Sequence, residues 1–600
     1  MDIEVVSSSK EVAALRNTNQ ALMPDRIGIS KGQASGYNIF PFHSLGSGKI
    51  FSGFDTLADF LAGSELVVLD GYAGVYWNVI RERLEVEFGK AGKTVKWFEA
   101  ADHLKASCDI EKLVLPFLGT PGSVWGTKTD LQISDFFIAD TINAISPDEA
   151  ADINIVIGSG AALCGWDATI VYFDLPKNEL QYRMRSGSIN NLGASQAEDA
   201  VSMYKRFYFV DWVVLNQHKQ AIADRMTVVA DTQWGTRVNW VKAADLFEGL
   251  RKLSGSVFRA RPWFEPGAWG GQFMKDRIPG LNKEEVNYAW SFELISPENG
   301  LVFESEGRLL EVSFDFLMNS QYEAVLGKHA SRFKTEFPIR FDFLDTYDGG
   351  NLSIQCHPSL DYIQKEFGEN ITQDETYYML EAKKDAVVYL GFQEDIDPDK
   401  FRQELDESNL KEKEVDIEKY VKTMPARQHD LFLIPNGTVH SAGEGALVLE
   451  ISATPYIFTF KMYDWVRMDL AGNPRPINID HAFRNLNFDR KGKRVEEELV
   501  SKPYILDKGA DWSLYHLPTH TEHFYDIHRM EFNTEISIEN GGVCHILMLV
   551  EGSAIGIDTA DGTHAIFQYA ETFVVPAATG SYKLVNRGAG VAKVIKAFVK

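Results

Sequence analysis

The sequence predicts a chain of several domains: an α/β unit built on a mainly parallel sheet, followed by β-rich barrels carrying one helical insertion. Three observations predict it. Between residues 66 and 245, apolar runs alternate with amphipathic stretches, the order of strand, helix, strand that wraps a parallel sheet in helices. From about residue 255 the texture changes to short β-type runs separated by Gly, Pro and Asn turns, which reads as sandwich or barrel. The chain has 600 residues of which 45% are hydrophobic, more than a single core organises.

Residues 1–40 read as an extension without a signal-length apolar core, so no targeting segment is expected there. The α/β unit is placed at 41–245. Its opening, LVVLDGYAGVYWNVIRERLEVEFGKAGKTVKWFEAADHLK (66–105), is an apolar run, a Gly turn, an amphipathic stretch and a second apolar run. INIVIGSGAAL, ATIVYFDLP, the helix-like KNELQYRMR and MTVVADT continue the alternation. The barrels are placed at 255–505 and 506–600. LVFESEG, LLEVSFDFL, AVVYLGF, DLFLIPNG and ALVLEISATPYIFTF supply strands of the first. The charged segment 397–426 has apolar residues at helical spacing and reads as a solvated helical insertion.

Composition excludes several function classes. A formal net charge of −25 repels phosphate backbones and anionic lipid, so neither nucleic acid nor a membrane is an expected partner. Four scattered cysteines without a CxxC pair argue against a disulfide framework and against a cysteine zinc knuckle, and fit a reducing cytoplasm. No run of eighteen apolar residues occurs.

Phosphate binding by a P-loop needs GxxxxGK[ST] after a strand. Gly71 occupies the first place, but Tyr76, Trp77 and Asn78 stand where Gly, Lys and Ser/Thr are required. The phosphate-binding ammonium and the magnesium hydroxyl are both missing, so ATP binding is not expected. Gly46-Ser47-Gly48-Lys49 lacks the Gly five places before Gly48 and reads as a surface turn. Gly158-Ser159-Gly160 reads as a strand-end turn. VWGTKTDLQISDFF (124–137), INIVIGSGAAL and DATIVYFDLPKNELQYRMRSG nevertheless resemble a uridine-kinase-type P-loop domain, which implies a kinase-like fold without kinase chemistry.

In LSIQCHP a strand turns alternate side chains to one face, so Gln355 and His357 point the same way and Cys356 the other. Asp374-Glu375-Thr376 precedes the strand-like YYMLEA, and DLFLIPNGTVH contains P-x-G-x-x-H, a turn that delivers His440 at a strand start. Gln, His, Glu and His form an oxygen/nitrogen set of the kind zinc takes. The spacing and flanking segments, RPWFEPGAWGGQ (261–272), HSAGEGALVLEIS and TFKMYDWVRMDLAGNPRPINIDHAF (459–483), resemble the cupin barrel of type I phosphomannose isomerases over residues 255–600.

That resemblance implies one zinc ion per chain on Gln355, His357, Glu375 and His440. It implies a sugar-phosphate substrate and interconversion of mannose 6-phosphate with fructose 6-phosphate. Lys461 and then Arg467 are the expected charge-stabilising residues. Two positions depart from the family: Gln373 stands where Lys is usual, and Lys461 where Arg is usual. The departures motivate a rival reading, a zinc cupin that senses sugar phosphates or serves as a scaffold. HLPTHTEHFYDIH (516–528) is rich in histidine, yet no carboxylate and histidine follow at cupin spacing, so the second barrel is expected to be metal-free and its histidines structural.

Overall fold

The computed structural model describes residues 15–28, 36–453 and 458–600, so the extension at 1–40 lies partly outside the described residues. The chain divides into two compact units: 1–33, 42–252 and 300–320 form the first, and 34–41, 253–299 and 321–600 the second.

The first unit is built on a seven-stranded sheet. Leu66–Gly71, Val95–Glu99, Ile153–Ile157, Thr169–Asp174 and Met226–Asp231 are all paired in parallel, and Asn239–Lys242 and Ile50–Ser52 close one side antiparallel. The central parallel strands are largely apolar through their middle residues because helices cover the sheet. Val67, Leu69, Ile155, Val171 and Val228 meet Leu57, Leu84 and Phe88 of the helices in one core. The predicted strand–helix–strand order over 66–105 appears as Leu66–Gly71, the helix Trp77–Lys90, and Val95–Glu99.

The turn after Leu66–Gly71 is filled by side chains. A Cβ on Gly71 would lie 2.4 Å from the Phe173 carbonyl oxygen, so only glycine fits this crossing. Trp77 meets Phe173 edge-on at 5.8 Å, and the Arg183 guanidinium lies over the Tyr76 ring at 4.2 Å. The Gly46–Lys49 segment is the turn its sequence suggests, with Gly46 and Gly48 at φ +85° and +70°. The Lys49 ammonium donates to Asp245 at 2.6 Å.

Three neighbouring strands carry a buried aspartate at or one residue before their carboxyl end: Asp70, Asp174 and Asp231. In open α/β sheets this edge is where ligands bind. Here the chain itself occupies it. Asp70 accepts from the backbone N–H groups of Gly71, Gly160 and Ala162 at 2.7 to 2.9 Å and pairs with His218 Nε2 at 2.7 Å. The hairpin Gly300–Ser305 and Arg308–Ser313 donates to the other two. Ser313 donates N–H and Oγ–H to Asp174 at 2.8 and 2.7 Å, and Glu311 donates its N–H to Asp231 at 2.9 Å. Nothing in the periodicity of LVFESEG and LLEVSFDFL distinguishes this hairpin from the strands of the second unit.

The second unit contains two double-sheet bodies. In the first, a six-stranded sheet that includes Arg340–Asp345, Asp374–Ala382, Leu431–Ile434 and Ala446–Ala453 faces a five-stranded sheet that includes Ile354–Cys356, Val387–Phe392, His440–Ala442 and Phe460–Tyr463. Tyr377, Met379, Val388, Leu390, Phe432 and Val448 share the core between them. In the second, a six-stranded sheet from Tyr504–Lys508 to Ala592–Val599 faces a four-stranded one, and Met530, Leu547, Ile555, Leu584 and Val594 fill the space.

The helical reading of 397–426 is corrected in its second half. The helix runs over Pro398–Lys411, with Asp397 capping the N–H groups of Asp399 and Lys400. It stops at Glu412, which adopts φ +52°. A single 3₁₀ turn and the strand Val421–Pro425 follow. Two β-branched residues, Val421 and Thr423, alternate there along an edge strand that ends at a proline, which suits a strand better than a helix.

Candidate metal centre

His357, Glu375 and His440 converge in the first double-sheet body, with one ligand-capable atom from each lying within 4.8 Å of the others. Each arrives from a different element. His357 follows the strand Ile354–Cys356, Glu375 is the second residue of Asp374–Ala382, and His440 opens His440–Ala442. The last is delivered by the P-x-G-x-x-H turn, where Gly437 at φ +75° brings its would-be Cβ 2.5 Å from the Asn485 carbonyl. All three side chains are fully buried.

Both imidazoles are held in one tautomer. His357 Nδ1 lies 2.9 Å from the Phe458 carbonyl and His440 Nδ1 2.9 Å from the Thr438 carbonyl. A carbonyl can only accept, so each Nδ1 carries the proton and each Nε2 presents a lone pair. The two Nε2 atoms face the same Glu375 oxygen, that of His357 in close contact and that of His440 at 3.7 Å. Burial pushes both histidines down to about 4, so they are neutral at physiological pH, the state a metal requires. Desolvation raises the Glu375 carboxyl, opposed by His440 and Arg340. Glu375 Oε1 is buried without a hydrogen bond of good geometry, and the Tyr377 hydroxyl is the donor beside it. Two imidazole lone pairs aimed at one buried carboxylate oxygen, with the other oxygen of that carboxylate unsatisfied, are what a cation would satisfy, so the residues fit a divalent ion.

Gln355 stands next to this group with its amide turned. Its Oε1 accepts from Ser353 Oγ at 2.9 Å, and its Nε2 lies 3.2 Å from His440 Nε2. Cys356 points the other way, toward the Ala482 carbonyl, as strand alternation requires. Gln355 pairs across the sheet with His440 on one side and Lys461 on the other, so the three form one row. Desolvation, then the Arg475 charge, push the Lys461 ammonium down to about 8.

Gln373 sits two residues before Glu375 and is buried. It donates Nε2–H to Glu375 at 3.3 Å and accepts from the Phe458 N–H at 3.3 Å, an uncharged brace between carboxylate and backbone. Arg467 is not brought to the ligand group by any of its contacts. It and Arg475 both grip Asp464 and line an open cleft with Met462 and Leu405.

A buried charge network under Glu375 was not singled out in the sequence. Arg340 binds Glu450, donates Nε–H to Ser452 and lies 3.4 Å from Asp342. Asp342 in turn accepts from Trp290 Nε1 at 2.6 Å. The register aligns Arg340, Ser452 and Glu375 in one row, and Asp342, Glu450 and Tyr377 in the next. Charged residues at alternate places of the otherwise apolar run RFDFLD were the available signal.

The histidine-rich segment 516–528 separates into two groups. His516, Asp526 and His528 form a second cluster with one ligand-capable atom each within 4.8 Å of the others. His523 is buried against Tyr525, stacked at 5.2 Å. Among the described residues the four cysteines are all free, and no helix is long and apolar enough to cross a membrane.

A family model described as a domain of unknown function (DUF8485) matches residues 53–255. The chain is 25% identical over 223 residues to mannose-6-phosphate isomerase ManA of Bacillus subtilis, which covers 36% of this chain and 64% of that protein. It is 25% identical over 215 residues to mannose-6-phosphate isomerase of Streptococcus mutans, covering 36% and 62%. The chain thus spans a little under two thirds of the length of these curated relatives. Among solved structures, mannose 6-phosphate isomerase from Bacillus subtilis is similar with a TM-score of 0.46 and 18% identity over 57% of this chain and 99% of that one. A variant of phosphomannose isomerase from Salmonella typhimurium gives 0.44 and 15% over 57% and 100%.

Proposed function

We propose that the protein is a zinc-dependent aldose–ketose isomerase that interconverts mannose 6-phosphate and fructose 6-phosphate, using a cupin-type centre in the second unit. The observation that carries this reading is the convergence of two tautomer-fixed Nε2 atoms on one buried carboxylate. The distant similarity to mannose-6-phosphate isomerases supports it. The kinase-like first unit has no catalytic part in this proposal. Its turn after Gly71 is filled by Tyr76 and Trp77, and ATP binding is not expected there.

His357, Glu375 and His440 would hold the ion, with Gln355 as the fourth ligand once its amide presents oxygen. Zinc at that place supplies Lewis-acid polarisation and a template for the sugar oxygens. Everything else falls to the chain. The Nδ1–H bonds to Phe458 and Thr438 keep both rings aimed without reorganisation. Gln373 braces Glu375 without adding a charge that would compete with the ion. Lys461, one strand beyond Gln355, supplies a cation for the substrate phosphate or for the negative charge that develops as a proton moves between adjacent carbons. Because it is a point charge, it stabilises that charge without the bidentate geometry of an arginine. Arg467, committed to Asp464, orders the segment after Lys461 and is a positioning residue.

A coupled isomerase assay on zinc-loaded and metal-stripped protein tests the proposal. Turnover of mannose 6-phosphate is expected only with metal. Lys461→Ala should lower kcat/KM on the order of 10²-fold. The pH profile follows from the lowered value of Lys461 near 8. The group is a cation below that pH and neutral above it, so activity should fall as pH rises through about 8. Lys461→Arg should remove this alkaline limb. Zinc-loaded protein that binds sugar phosphates yet never turns them over would instead identify a sensor.

A further inference from the structure

We propose that the C-terminal double-sheet body carries a second metal site, formed by His516, Asp526 and His528, for a divalent first-row transition ion. It does not rest on the isomerase reading.

Sheet register assembles the site. Tyr504, His516, His528, Lys596 and Leu547 are successive partners across five strands, forming a single row. Leu547 belongs to the core between the two sheets, as do Met530 and Val594, which alternate with His528 and Lys596 along their strands. The row therefore faces the interior at its Leu547 end and opens to solvent at Tyr504, which is 51% exposed, and Asp526, two residues before His528, lies on the same face. Alternation along Tyr525–Phe532 thus supplies a carboxylate and an imidazole from one strand, and the neighbouring strand supplies the other imidazole.

The chemistry of these three groups matches a metal better than a closed hydrogen-bond cluster. His516 Nε2 lies 2.8 Å from Asp526 Oδ2, and its Nδ1 lies 2.8 Å from the Tyr504 hydroxyl. Asp526 Oδ1 accepts from the Ile527 N–H at 3.0 Å, and Thr519 Oγ1, which donates to the Tyr525 carbonyl at 2.8 Å, lies 3.3 Å from the same Asp526 oxygen. His516 is thus held from behind by a hydroxyl and Asp526 by a backbone N–H, as metal ligands usually are held by an outer partner. His528 is different. Its Nδ1 is buried and has no hydrogen-bond partner among the described residues, and Phe598 packs on its ring at 4.8 Å. An imidazole inside a sheet sandwich with an unspent nitrogen, beside a carboxylate and a second imidazole, has a ligand's surroundings. His516 and Asp526 keep 19% and 17% side-chain exposure, which gives an ion a way in. Two imidazoles and one carboxylate leave further coordination positions open. Lys596, only 6% exposed, stands next in the row and would favour an anionic co-ligand there.

The test uses the full chain, stripped by chelation, reloaded with zinc and freed of excess ion. Wild type should retain about two zinc ions per chain, and both His516→Ala/His528→Ala and Asp526→Asn should retain one fewer. The His357→Ala/His440→Ala protein isolates the second site: it should still bind one ion, and zinc should raise its thermal midpoint. Adding Asp526→Asn, which preserves side-chain size, should abolish both effects. If the first centre alone fails to bind, wild type retains one ion and loses it in the His516/His528 variant, so the two proposals fail separately. Zinc content unchanged in Asp526→Asn, or no zinc-dependent rise in the midpoint of the His357→Ala/His440→Ala protein, overturns the second site.

Discussion

Replacing both ligand imidazoles of the first centre, His357→Ala with His440→Ala, is expected to remove one metal ion per chain and lower isomerase turnover by about 10³-fold or more, the equivalent of at least ~4 kcal/mol of lost transition-state stabilisation. The expectation rests on how little else meets Glu375. Its Oε2 contacts the two imidazoles and the Gln373 amide, and its Oε1 has only the Tyr377 hydroxyl beside it, without a hydrogen bond of good geometry. Without the imidazoles a cation would keep one carboxylate and one amide, too few for tight binding. Metal analysis and the coupled assay on the same preparations check both halves. Turnover that survives with metal absent would move the chemistry away from this centre. The single variant Gln373→Lys is informative beside it, because it restores the residue usual in the family the sequence resembles: a rise in turnover with metal content unchanged would show that the neutral brace limits the chemistry.

The second large effect is on stability. Arg340→Met should destabilise the second unit by about 3–5 kcal/mol, the usual cost of removing one partner from a buried ion pair. Arg340 is 3% exposed and pairs with both Asp342 and Glu450, and its charge also acts on Glu375. Taking it away leaves three buried carboxyl groups that must be protonated or must move. The shift in denaturant midpoint of the transition that reports this unit measures the effect. Arg340→Lys should recover part of it by restoring charge without the fork that spans Glu450 and Ser452. A midpoint unchanged in Arg340→Met would mean that hydrogen bonds to neutral acids already carry the network.

Much of the first centre was legible because local rules govern it. Strand alternation ties Gln355 to His357, and a turn that needs glycine at position 437 delivers His440. The β-type run after Asp374 puts Glu375 at a strand start. The second cluster was not legible, since no fixed spacing links His516 to Asp526. Their meeting depends on which strands pair and in which register, and tertiary packing decides that. Arg340 and Asp342 alternate in one apolar run and Glu450 stands in another, and only strand pairing gathers the three. Arg467 has a partner that the YDW-x-R segment also contains: Asp464, three residues before it, binds its guanidinium, while its charge still acts on Lys461. The end of the helix at Glu412 is a local backbone reversal in a segment with no glycine to announce it.

The hairpin at 300–313 has a consequence for how the chain must be made. During synthesis residues 42–252 leave the ribosome well before the hairpin whose backbone satisfies Asp174 and Asp231, and much of 253–299 belongs to the other unit. Until about residue 320 has emerged, the nascent first unit has a sheet edge with two carboxylates and no donors from the hairpin. A chain cut at residue 252 would lack these donors, leaving Asp174 and Asp231 to be met by water or to be protonated.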